Sequence, residues 1–149
     1  MNQLALRIIS VLWLVWGFVH AFAGIATIAR NAPDSIAGVA DAVDLTEFTG
    51  SYHPATDALI NQHGFNLLWI GLITLVCGVI IWRHKSPHLL ALAAAAIVGG
   101  LADVGYFVFM DLGGFVNFMP GTVMTIFSGT AILLSIWVWR TDHGRTASV

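Results

Sequence analysis

Residues 89–110 read LLALAAAAIVGGLADVGYFVFM, an apolar run broken by one carboxylate, Asp103. A helix rises about 1.5 Å per residue, so about 20 residues cross the roughly 30 Å of hydrocarbon in a membrane. The stretch is long enough to span. A carboxylate at that depth is costly unless it faces the interior of a bundle, which is why such residues mark a site by default.

Three further stretches have the same character, residues 4–29, 58–82 and 121–139. Prolines punctuate them without interrupting them. Pro33 follows the first, Pro54 precedes the second, and Pro87 and Pro120 stand where a helix begins. Short polar or glycine-rich connections lie at 83–86 and 111–114. The pattern predicts an all-α integral membrane four-helix bundle, one domain over residues 1–149, with a long loop between the first two spans.

Composition agrees. The chain is 58 % hydrophobic and only 9 % charged, with a mean hydropathy of +0.84. A net charge of −2 without a basic cluster argues for no nucleic-acid partner. The single cysteine, Cys77, excludes an internal disulfide and a Cys-x-x-Cys redox pair, and with them the membrane thiol oxidoreductases that use one.

Charge also predicts orientation. Arg7, Arg83, Lys85, Arg140 and Arg145 flank one side of the spans, and Arg30 flanks the other. By the positive-inside rule both termini face the cytoplasm of a bacterial-type inner (plasma) membrane. Trp82, Trp137 and Trp139 fall at that same interface, where indoles prefer to lie. The long loop, with Asp34, Asp41, Asp44 and Glu47, then faces outward. Within it Ile36, Val39, Ala40 and Val43 have the spacing of a short amphipathic helix over 34–43, placed to cap the bundle. The first span imitates a secretory signal through Arg7 and Ala21-Phe22-Ala23. Its Trp13, Trp16 and His20, and its continuation to Ala29, argue for a permanent helix.

Helix rise converts position into depth. From the outer ends of the spans, His20 lies about 15 Å deep, Asp103 and Asn66 about 12 Å, and His63 about 7 Å. In the fourth span Thr125 comes at about 8 Å and Ser128 at about 12 Å. His20, Asn66, Asp103 and Ser128 are expected to share one polar layer, with His63 about a turn above. Trp16 and Tyr106 fall on the stripes that carry His20 and Asp103. Asp103 and His20 are the candidate acid–base pair. His63, Asn66, Trp16, Tyr106, Ser128 and Thr125 are the candidate ligand contacts.

Histidine and a buried carboxylate suit proton exchange near neutral pH. A metal reading would set His20, His63 and Asp103 around iron or zinc. It lacks any His-x-x-His or Glu-x-x-His spacing within a helix, and no metal ligand is assigned. Haem between His20 and His63 fits worse, because axial nitrogens lie about 4 Å apart while the two depths differ by about 8 Å. The sequence names no cofactor.

The reading is an outward-opening intramembrane polar site that binds or converts a small lipophilic molecule, with membrane lipids as surroundings. The alternative is a structural subunit of a homo-oligomer or larger membrane complex, joined through small-residue faces at Gly17–Ala21–Gly24 or Ala95–Gly99.

Overall fold

The computed structural model describes residues 2–44, 46, 52–84, 87–117 and 121–146. Glu47, Lys85 and Pro120, used above for loop charge, orientation and a helix start, lie outside the described residues. Among the described residues four helices are long and apolar enough to cross a membrane. They are α1 (Asn2–Ile28), α3 (Pro54–Arg83), α4 (Leu89–Tyr106, prolonged by a π-helical turn, Phe107–Asp111) and α5 (Gly121–Thr146); the short α2 (Ala32–Val39) follows α1. Among the described residues there is no strand.

The helix ends follow local chemistry. α3 starts at Pro54 rather than at 58, because proline fits a first turn whose amides need no helical partner. His53 Nδ1 accepts the Ala55 amide at 3.1 Å and caps it. α2 starts before Asp34, capped by Asn31, whose side chain accepts the Asp34 amide at 2.9 Å. It ends at Val39 rather than at 43. α5 continues past 139 to Thr146 through polar residues that a span would exclude.

Spans consecutive along the chain pack side by side, and α5 returns to α1, giving an up-down ring of four. In lipid the hydrophobic effect does not drive helices together; close packing and interhelical hydrogen bonds do. The α1–α3 pair shows how. Glycines recur at seven-residue spacing, Gly17 and Gly24 on α1 and Gly64, Gly71 and Gly78 on α3. Gly24 meets Gly64 and Gly17 meets Gly71 so closely that a Cβ on Gly17 would lie 2.7 Å from the Gly71 carbonyl oxygen. One heptad further, Ser10 Oγ donates to the Gly78 carbonyl at 2.8 Å. The Gly17–Ala21–Gly24 face is thus filled by α3, not left for a partner complex.

The other small-residue face is filled too. The Trp13 ring lies against Gly99, where no Cβ fits, and Ala95 is fully buried. Trp13 and Trp16, both 0 % exposed, cross the centre of the ring from α1 toward α4 and lead the apolar core. Large apolar side chains such as Phe18, Phe22, Leu90, Leu101 and Leu133 point outward, as lipid requires.

The loop end is tied down by polar bonds. Ser35 Oγ donates to the Thr27 carbonyl at 3.0 Å, and the Ala32 amide donates to Asp57 Oδ1 at 3.0 Å. Asp41 Oδ1 accepts the Asn117 amide at 2.8 Å, while Asn117 Nδ2 donates to the Asp41 carbonyl at 3.0 Å. These bonds join the segment after α2 to the α4–α5 connection.

Candidate functional site

Asp103 is buried on α4, 6 % exposed. Trp16 Nε1 donates to its Oδ2 at 3.1 Å from the diagonal helix. Ser128 on α5 stands beside it in the groove wall, and His20 lies within electrostatic reach. A carboxylate in an apolar interior needs such donors, because each unpaired polar group there is costly.

No direct hydrogen bond joins His20 to Asp103. Trp16 touches both instead. The His20 imidazole stacks on the Trp16 indole, with centroids 3.6 Å apart and planes at 16°. Its Nδ1 lies 2.8 Å from the Trp16 carbonyl oxygen. A carbonyl only accepts, so Nδ1 carries the hydrogen, and Nε2 is the basic nitrogen of the neutral ring. The indole of Trp16 thus lies between the two, hydrogen-bonded to the carboxylate and stacked on the imidazole.

The remaining candidates divide. Ser128 lies beside Asp103 in the groove wall, and its hydroxyl donates to the Thr125 carbonyl at 3.2 Å. Thr125 donates to the Gly121 carbonyl at 3.1 Å and lines the groove described below. Tyr106 packs against Gly121 and faces Asp41 and Asp111 at the loop end, away from the layer. Asn66 accepts from Trp69 Nε1 at 3.0 Å on the flank of its own helix, and it is not among the groups that reach Asp103. His63 is exposed on α3. Depth alone placed Asn66 and His63 near the layer, but the rotation set by the α3 glycines turns them aside. Among the described residues no three His, Cys, Asp or Glu side chains gather as a metal site. The set His20, His63 and Asp103 is not assembled.

Two features escape sequence reading. The first is a groove of about 460 Å3 between α4 and α5 whose walls include Asp103, Gly100, Phe107, Thr125, Ser128 and Gly129. Its size suits a small ligand. It runs along the lipid-facing side of the two helices, where Ile97 and Leu101 are 60 % and 68 % exposed. A Cβ on Gly129 would meet nothing within 4 Å, so this glycine leaves open space. The second is the π-helical turn. The Phe107 amide is shared between the Asp103 and Val104 carbonyls, and the Leu112 amide then bonds Phe107 at 3.0 Å, five residues back. Such turns occur often at functional sites.

No family model matches the chain, no curated protein matches its sequence, and no solved structure matches its fold.

Proposed function

We propose that this multi-pass membrane protein binds, and with acid–base help converts, a small lipophilic molecule that enters between α4 and α5 and carries a hydrogen-bond donor. One observation carries the reading: a buried carboxylate, held by an indole N–H at 3.1 Å, forms part of the wall of a groove otherwise lined mostly by apolar side chains. An apolar ligand body suits the lipid-facing walls. A hydroxyl or amine on it suits Asp103, with Ser128 beside it to donate or accept. His20, stacked on Trp16 and not among the groove's lining residues, bears on Asp103 electrostatically, and Trp16 is the positioning residue.

The orientation that goes with this reading puts both termini in the cytoplasm of a bacterial-type inner membrane. Arg7, Arg83 and Arg140 near one end and Arg30 near the other support it.

The test is the small-molecule content of the purified protein in lipid nanodiscs, measured by mass spectrometry of an organic extract. Wild type is expected to retain a lipophilic compound that D103N and the groove-filling G129L both lose. Equal content in all three, with folding unchanged, would end the reading.

A second reading has its own observation. Ala96, Gly100 and Gly129 give the groove small-residue edges of the kind a partner helix fills. In that case G129L changes oligomer mass in nanodiscs while D103N does not.

A further inference from the structure

At the opposite end of the ring from the tied-down loop, a crevice of about 300 Å3 lies between α1 and α3, lined by Arg7, Ile8, Val11, Leu12 and Trp82. The Ser10–Gly78 contact fixes the register there, so Arg7 and Trp82 come level near the ends of their helices. The Arg7 guanidinium carbon sits 4.3 Å above the Trp82 ring. We infer that this crevice binds an anionic phospholipid, with its phosphate on Arg7 and an acyl chain along Ile8, Val11 and Leu12.

Four observations converge on that ligand. The exposed lining of the crevice is wholly apolar, as an acyl chain requires, and the Arg7 side chain that borders it carries the cation a negative headgroup would meet. The guanidinium sits over the Trp82 ring and among the described residues donates to no hydrogen-bond acceptor, which suits the bidentate contact that phosphate prefers. No acidic residue lies in the first turn of α1, and among the described residues no carboxylate pairs with Arg7. The charge is left for an outside anion. Trp82, 44 % exposed, marks this level as the membrane–water interface, where phospholipid phosphates lie.

A second copy of the chain fits less well. Arg83 and Arg140 lie near the same end, and Asp142 is the only acid near it among the described residues. Two such ends would bring like charges together. Free phosphate would leave the apolar walls without a partner.

The test is native mass spectrometry of the full chain in mixed nanodiscs of dioleoylphosphatidylglycerol and dioleoylphosphatidylcholine. Wild type is expected to hold phosphatidylglycerol in preference to phosphatidylcholine. R7Q should reduce that preference about 5-fold, the weight of one interfacial cation. V11W, which fills the crevice and keeps Arg7, should reduce it as well, so a folding defect in one variant does not decide the matter. R140Q removes the same charge from α5 and should leave the preference within 2-fold of wild type, on the order expected for a screened charge at a distance. If R140Q falls as far as R7Q, the attraction is a general surface effect and the site is refuted. An unchanged V11W refutes the acyl-chain contact. Displacement of the lipid by equimolar inorganic phosphate refutes the phospholipid in favour of a bare anion site.

Discussion

The α1–α3 pair and the α4–α5 pair are built from similar residues and packed in opposite ways. On the α1 side, glycines seven residues apart let two backbones touch, and 39 % of the apolar window of α1 is buried. On the other side only 22 % is buried in both α4 and α5, and Gly105 and Gly129 face open space. The same residue type closes one interface along its length and leaves part of the other open. One pair is scaffold. The other, anchored to it through Trp13 on Gly99 and Trp16 on Asp103, carries the groove.

The sharpest way to break the contrast is to add a methyl-bearing side chain on each side. At Gly71 a Cβ would lie 2.6 Å from the Gly17 carbonyl oxygen, and backbone cannot retreat as a side-chain tip can. G71V is expected to cost about 3 kcal/mol, seen as a lower unfolding midpoint in detergent. G129A should be neutral, or stabilising by up to about 1 kcal/mol through lost unfolded-state freedom. Equal losses in both would mean that the α4–α5 side is as tightly packed as the scaffold.

Next in size is the link between the two pairs. D103A leaves the Trp16 indole N–H without its acceptor inside the bundle, which costs about 1–3 kcal/mol. W16F removes the donor and leaves the carboxylate other neighbours, so a loss near 1 kcal/mol is expected. Unfolding of the two single variants and the double variant in detergent gives the coupling. A coupling near zero would show that Trp16 and Asp103 do not tie the halves together.

The spans were legible because length and apolar composition suffice to find them, and Asp103 stood out because charge is rare at that depth. Which way each helix turns was not legible. Asn66 and His63 have the right depth and the wrong rotation, and that rotation follows from Gly64, Gly71 and Gly78 locking onto α1. The heptad spacing of those glycines was a readable signal, but its meaning depends on knowing that α1 supplies the matching notches. Trp16 was placed on the right stripe, yet its role as the donor to Asp103 requires a contact across the diagonal that no single-helix pattern encodes. The π-helical turn after Asp103 has no composition of its own.

The smallest expected effect concerns how the loop end holds the looser pair. Asn117 makes two hydrogen bonds to Asp41, one from its backbone amide and one from its side chain. Both partners are exposed, so water competes for each bond and the side-chain one is worth about 0.5–1 kcal/mol. N117A keeps the backbone bond and removes the side-chain one. Global stability should therefore hardly change, while amide exchange rises about 2- to 5-fold in the segment after α2 and in residues 112–117, the size that such a loss implies. If the α4–α5 connection were instead held by the spans themselves, exchange there would be unchanged. The loop would then be a passive connector, and the width of the groove would depend on α4 and α5 alone.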